Sequence, residues 1–387
     1  MTELTPVPLD GGPVAILGAL ELERTATGLR PQRLPAGARA QLDDAHFRMV
    51  VAQPAGVRLA FRTAATVLEL DVRATKTVLP GDAAFPDGRY ELLVDGAPAG
   101  WTVVRDGNRI HVDPATGQAR TVPGRPGTVR FDNLPDRHKD IELWLPQGEM
   151  TELLALRSDA PVEPPAPSRQ PVWLHHGSSI SHGADQLSPT GIWPSVAAAR
   201  AGVRPVNLGL AGHCMLDPFT ARAIRDTPAD LISIKVGINI VGTDSMRLRT
   251  FTPAVHGFLD TVREGHPDTP LLVVSPILCP EAEERPGPLV PSWESGSFGF
   301  RALGDPAEVP AGRLTLQVVR AELARIVAER AAQDHQLHYL DGRTLYGEKD
   351  AAELPLPDAL HPDAATHRLI GERFAELALR PGGPLRG

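Results

Sequence analysis

The sequence predicts two domains of different class, an antiparallel β-sandwich over residues 1–160 and an α/β domain over residues 172–387, joined by a proline-rich linker at 161–171. Three observations predict this. Short alternations of apolar and polar residues, separated by turn signals, fill the first part, as half-buried antiparallel strands require. Apolar runs alternate with helical stretches in the second, the pattern of a parallel sheet covered on both faces by helices, in three layers α/β/α. Between them, Asp159 to Pro171 carries five prolines, which favour an extended, semi-rigid connector. A chain of 387 residues is long enough for each part to bury its own core.

In the N-terminal part the period-two runs are 57–61, 67–72 and 141–145, and turn signals stand at Pro86-Asp87-Gly88, Val94-Asp95-Gly96 and Arg105-Asp106-Gly107. In the C-terminal part strands are expected at 172–174, 205–208, 231–236, 271–274 and 337–340, and helices near 193–201, 253–264, 314–331 and 364–379. The chemistry of such a sheet is expected at the C-terminal ends of its strands. The stretch from Cys279 to Gly312 lacks periodicity and is rich in Pro, Gly and Glu, yet carries Trp293, Phe298 and Phe300. It reads as an irregular functional loop, a substrate-covering lid in preference to disorder. Its three aromatic residues fit an acyl or aromatic pocket and ordinary packing equally well.

Composition narrows the function classes. Hydrophobic residues make up 42% and charged residues 22%, as in ordinary globular protein. A net charge of -8 offers no basic patch for a phosphate backbone, so nucleic acid is not an expected partner, and neither is an anionic membrane. The opening Met1-Thr2-Glu3-Leu4 has no basic residue, the apolar run from Pro13 to Leu20 is cut short by Glu21 and Glu23, and no stretch approaches a spanning length. A cytoplasmic location is therefore expected. Two cysteines, Cys214 and Cys279, form no disulfide framework and no metal-ligand spacing, so both are expected to be reduced and structural. No cofactor and no metal is expected.

Two short motifs carry the chemistry. Gly177-Ser178-Ser179-Ile180-Ser181 follows the first strand of the α/β part, where glycine lets the backbone turn sharply and leaves a hydroxyl at the sheet edge. The Gly-x-Ser-x-Gly elbow of the α/β-hydrolases is absent. Asp358-Ala359-Leu360-His361 lies far downstream, before the last helix. A serine hydroxyl is a weak nucleophile until an imidazole takes its proton, and a carboxylate on the same loop fixes the imidazole tautomer and stabilises the imidazolium. Two further segments follow predicted strands: Asn207-Leu208-Gly209-Leu210-Ala211-Gly212, which brings a glycine N–H, and Val236-Gly237-Ile238-Asn239, which brings a side-chain amide. Donors aimed at a developing oxyanion are each worth about 3 kcal/mol. Taken singly, each of these segments reads as a loop or tight turn; together and in order they read as an acyl-transfer site.

Other constellations read more plainly. Cys214 has no partner in sequence that would make it a thiol nucleophile, and reads as a small buried residue. His175, His176, His182 and His213 match no zinc spacing, and read as groups lining the site or satisfying loop backbone.

With these residues in view, the chain resembles the SGNH or GDSL hydrolases, a family named for Ser, Gly, Asn and His. Ser179 matches the nucleophile, Gly212 and Asn239 the oxyanion donors, and Asp358 with His361 the Asp-x-x-His pair, in family order over roughly residues 171–379. Ser178 stands where the family's Gly-Asp-Ser has Asp, and Ile240 where its Gly-x-Asn-Asp has the final Asp. Asp341-Gly342-Arg343-Thr344-Leu345-Tyr346 resembles the Gly-x-Asp-Leu-Tyr element of one branch, with Thr344 in place of Asp. That branch, with a β-rich N-terminal domain, is similar to actinomycete acyltransferases that tailor polyketides.

The resemblance implies a flavodoxin-like α/β/α fold and an acyl-serine intermediate formed by Ser179, with His361 as base and then acid, Asp358 as orienter, and an oxyanion hole from the Ser179 and Gly212 N–H groups and the Asn239 amide. It implies a small-molecule acyl ester or thioester donor, and water or a hydroxylated acceptor as the second substrate. Hydrolase and transferase share every one of these residues. The rival from another class is a non-catalytic carbohydrate-binding protein in which the β-domain does the work.

Overall fold

The computed structural model describes residues 3–78, 86–112, 119–183, 185–293 and 298–387. Chain contacts divide it into one unit of Met1–Arg39, Asp43–Arg169 and Gly183–Thr190 and another of Ala40–Leu42, Gln170–His182 and Gly191–Gly387.

The first unit is β-rich, with one sheet of eight strands and one of six. Strand Leu68–Val78 shows why these residues form sheet: Leu68, Leu70, Val72 and Ala74 point into the core, while the intervening Glu69, Asp71 and Arg73 are more exposed. Across the neighbouring strand Met150–Ser158, Arg157 binds Asp71 through both oxygens at 2.7 and 2.8 Å. One core cluster collects Leu70 and Val72 from the larger sheet and Leu59, Phe61, Leu92 and Leu143 from the smaller. Among the described residues the strand pairs of this unit are antiparallel with one exception, which corrects the all-antiparallel expectation: Leu68–Val78 runs parallel to Asn108–Val112. Between them the chain passes through Arg89–Val94 and Ala97–Val103 in the other sheet, so it returns as a crossover and not as a hairpin.

The second unit is built on five parallel strands: β1 (Val172–Gly177), β2 (Arg204–Gly209), β3 (Leu231–Lys235), β4 (Leu271–Val274) and β5 (Leu337–Leu340). Their order is β2-β1-β3-β4-β5, the flavodoxin-like order. Every residue of β3 and β4 is buried, which is why β4 reads as an unbroken apolar run and β3 as one broken only by Ser233 and Lys235. The strand order reverses direction at β1, so the crevice beyond the C-terminal ends of β1 and β3 is where such a sheet places its chemistry. Trp173 of β1 stacks on Phe374 at 5.1 Å and lies 6.0 Å from Trp193, joining the helices Trp193–Ala201 and Ala364–Leu377 to the sheet in one core cluster.

Two elements differ from expectation. Helix Leu248–Gly265 begins before Pro253, because the Arg247 N–H donates to Thr250 Oγ1 and caps the earlier start; Pro253 in the next turn then removes only its own i→i−4 bond. The stretch from Cys279 to Gly312 is not irregular throughout: Leu289–Ser292 pairs with Gly299–Ala302 in an antiparallel hairpin, and a 3-10 helix spans Pro306–Ala311. Residues 294–297 of the expected lid lie outside the described residues. No described helix is long and apolar enough to cross a membrane.

Candidate active site

The site residues are all drawn from the parallel-sheet unit. β1 ends at Gly177, where an added Cβ would collide with Ser181 Oγ and stand 3.0 Å from His175 Nε2, so only glycine lets the chain leave the strand so tightly. After Ser178, the short helix Ser179–His182 begins, with the Ser178 carbonyl accepting from the N–H groups of Ser181 and His182 at 3.0 and 2.9 Å. Ser179 is half-buried, and its Oγ lies 2.9 Å from His361 Nε2.

His361 and Asp358 share one loop. Asp358 Oδ2 lies 2.7 Å from His361 Nδ1, and Asp358 Oδ1 accepts from the N–H groups of Leu360 (3.0 Å) and His361 (2.6 Å). Ala359 between them is held at a left-handed φ of 65°, a strained value for a residue with a Cβ. Burial pushes the Asp358 carboxyl up, but the hydrogen bond and charge of His361 with the two amides outweigh it and hold it below its ordinary value. An ionised carboxylate only accepts, so His361 Nδ1 carries the proton and Nε2 presents a lone pair to the Ser179 hydroxyl.

The other two expected residues lie on neighbouring connections. Gly212 is in the turn after β2, at φ 75°, a conformation glycine adopts without strain. Asn239 is in the short helix Ile238–Gly242 that follows β3, and its Oδ1 accepts the Cys214 N–H at 3.1 Å. A main-chain N–H can be accepted only by the amide oxygen, so this contact settles the orientation of the amide and leaves the Nδ2 hydrogens without a partner among the described residues. The loop that carries Gly212 is thereby tied to the helix that carries Asn239.

The four histidines of the sequence reading divide between core and loop. His175 is buried, bonded through Nε2 to Ser181 Oγ (2.8 Å) and through Nδ1 to Ser233 Oγ (2.7 Å), which also accepts the Trp173 indole N–H at 2.9 Å. Burial, then the neighbouring His176 and Lys235 charges, hold its pKa well below the usual 6.5. His176 is bonded through Nδ1 to the Leu208 carbonyl at 2.8 Å. The two alternate along β1 and so face opposite sides of the sheet, which prevents a shared ion. His182 is buried beside the nucleophile, and the His213 N–H closes a turn on the Leu210 carbonyl at 3.0 Å. Cys214 and Cys279 are buried free thiols, and burial pushes each up to about 12, which leaves no thiolate nucleophile.

Several surroundings and contacts had no sequence signal, although Phe300 and Thr344 themselves stand in segments the sequence marks. Phe300 of the hairpin stands edge-on to the His361 ring at 5.6 Å and donates its N–H to the Asp358 carbonyl at 2.8 Å. Lys235 at the end of β3 is buried, and burial lowers its pKa from 10.5 to about 8. Thr344, at the position of an expected Asp, bonds the Asp341 carbonyl within a 3-10 turn at 2.7 Å.

The family model of the GDSL-like lipase/acylhydrolase family matches residues 176–369. Among solved structures, the salicylyl-acyltransferase SsfX3 from a tetracycline biosynthetic pathway is similar at a TM-score of 0.78 and 28% identity, over 96% of this chain and 95% of that one. A GDSL-like protein of Bacteroides ovatus matches at a TM-score of 0.67 and 18% identity over 96% of each chain, and a family two carbohydrate esterase from Cellvibrio japonicus at 0.54 and 13% over 97% of each. At those identities the last two speak to fold alone. No curated protein matches the sequence.

Proposed function

Because this chain belongs to the GDSL-like lipase/acylhydrolase family, we propose that it is a serine-dependent acyltransferase that moves an acyl group from a small-molecule ester or thioester to a hydroxylated acceptor, and hydrolyses its acyl-enzyme when water takes the acceptor's place. One observation carries the reading: Ser179 Oγ, the His361 ring and Asp358 Oδ2 form a hydrogen-bonded line of 2.9 and 2.7 Å. In the proposed reaction Ser179 Oγ attacks the donor carbonyl while its proton passes to His361 Nε2, and Asp358 stabilises the imidazolium. The N–H groups of Ser179 and Gly212 and the Asn239 Nδ2 hold the oxyanion. Collapse breaks the bond to the leaving alcohol or thiol, which takes the proton from His361, and an acyl-serine remains. An acceptor hydroxyl then gives its proton to His361 and attacks the acyl carbon, and Ser179 leaves with the proton returned.

The resemblance to SsfX3 over almost the whole chain supports transfer above simple hydrolysis and supports acceptors made by secondary metabolism, polyketides among them. We read the parallel-sheet unit, 172–387, as a three-layer α/β/α domain, and the β-rich unit, 1–160, as a sandwich joined to it by 161–171.

The test is intact mass after fluorophosphonate treatment, followed by product analysis. A single adduct is expected on the parent protein, none on Ser179→Ala, and one formed far more slowly on His361→Ala. With an ester donor and an alcohol acceptor, a new ester is expected beside free acid. Free acid alone, with acceptor and without, would leave a hydrolase; ester turnover unchanged in Ser179→Ala would leave the carbohydrate-binding rival.

A further inference from the structure

We propose that Trp293, Phe298 and Phe300 form the acceptor subsite, an aromatic strip that takes a flat, ring-bearing alcohol on the His361 side of the nucleophile. The inference rests on the acyl-transfer reading of Ser179 and names the second substrate of that site.

The three rings form a continuous file that ends at the general base. Trp293 meets Phe298 at 5.4 Å, Phe298 meets Phe300 at 5.4 Å, and Phe300 meets His361 at 5.6 Å, each pair tilted close to edge-to-face. Trp293 is 70% and Phe298 46% exposed. A single exposed aromatic is ordinary, but a run of them beside a reacting centre is an unfilled apolar surface. The file is held in place by the hairpin: strand Gly299–Ala302 carries Phe300, whose N–H is bonded to the Asp358 carbonyl at 2.8 Å. The surface therefore has a fixed position against the Asp358–His361 loop.

Its position decides which half of the substrate it meets. The oxyanion donors gather at the carbonyl oxygen, whereas the imidazole must reach the oxygen of the departing and the arriving alcohol. An aromatic file beside the imidazole thus faces the alcohol portion and not the acyl chain. Phenyl faces and edges accept another aromatic ring without further polar groups. A sugar would need several donors and acceptors for its hydroxyls, and the strip offers a single donor, the Trp293 indole N–H.

The test uses the whole protein with 4-nitrophenyl acetate as donor and three primary alcohols as acceptors: 2-(2-naphthyl)ethanol, 1-octanol and 2-hydroxyethyl glucoside. The ratio of new ester to free acid is read for each, so every variant is referred to its own hydrolysis. The parent is expected to favour the naphthyl alcohol about tenfold, and Trp293→Ala and Phe298→Ala are each expected to lower that ratio roughly three- to tenfold. Leu303→Ala, which removes a comparably exposed apolar side chain next to the same hairpin, is expected to keep the parental ratio. Equal ratios for the three alcohols, preference for the glucoside, or an equal loss in Leu303→Ala would overturn the subsite. A burst of nitrophenol with none of the expected preference defeats this inference alone, whereas absence of both burst and Ser179 adduct defeats the acyl-transfer reading and the subsite with it.

Discussion

Asn239 has its amide oriented by one main-chain contact. The Cys214 N–H fixes the oxygen at 3.1 Å, so the nitrogen is directed away from that contact before any substrate binds. Replacing it by alanine is expected to lower kcat on a simple ester about 10² to 10³-fold, with a smaller effect on KM, because an oxyanion donor acts mostly in the transition state. Steady-state kinetics of Asn239→Ala check this, and a change confined to KM would remove Asn239 from that role. Cys214→Ala should stay close to the parent, since its contribution is a backbone N–H. Ser179, Asp358 and His361 were legible because two short motifs carry complementary chemistry. The segments ending in Gly212 and Asn239 were marked by their place after predicted strands, and the family resemblance singled out the two residues, for a glycine and an asparagine after strands are ordinary turn residues. The Cys214 contact with Asn239 was not legible at all, because it joins the connections that follow β2 and β3, two strands held on either side of β1.

Among the elements, the turn out of β1 is tightly constrained. A Cβ at Gly177 would collide with Ser181 Oγ, which is itself bonded to the buried His175. Gly177→Ala is therefore expected to displace the start of the helix Ser179–His182 and lower kcat roughly a hundredfold, the usual cost of misplacing a reacting group by about an ångström. The far-ultraviolet circular dichroism should change little; parental labelling of Ser179 by fluorophosphonate would contradict the argument. The five parallel strands were readable because each carries a short apolar stretch between helical patterns, continuous in β4 and broken by polar residues in the others. Helix Pro218–Arg225 was not, since a proline at its first position and only eight residues resemble a loop. The hairpin was hidden for a related reason: its strands have four residues each, Pro291 lies inside the first and Gly299 opens the second, so neither shows a period of its own.

For the molecule as a whole, Lys235 links stability to pH. Its pKa falls from 10.5 to about 8 on folding, because burial disfavours the ammonium. Below pH 8 both states are protonated, and the folded state carries the full cost of a buried charge, of order 3 kcal/mol. Between about pH 8 and 10.5 the unfolded chain binds the extra proton, so this contribution makes stability rise with pH; above 10.5 the cost is gone. Lys235→Met is expected to raise the urea midpoint at pH 7, with a gain that shrinks across that window. A gain that does not vary with pH would assign it to packing. The broad division into a β-rich and an α/β part was legible from the change of period near the prolines. The parallel pairing of Leu68–Val78 with Asn108–Val112 was not, because a crossover through a second sheet leaves no local mark. One feature of the α/β unit also bears on how the site moves. Asp358 and His361 are bound to each other twice, through the ring and through the main chain, on a loop anchored by the Phe300 N–H. The pair is thus braced as one part, while a single hydrogen bond joins it to Ser179, so heat, strain or a crowded substrate is expected to open the Ser179 to His361 gap before it separates carboxylate from imidazole.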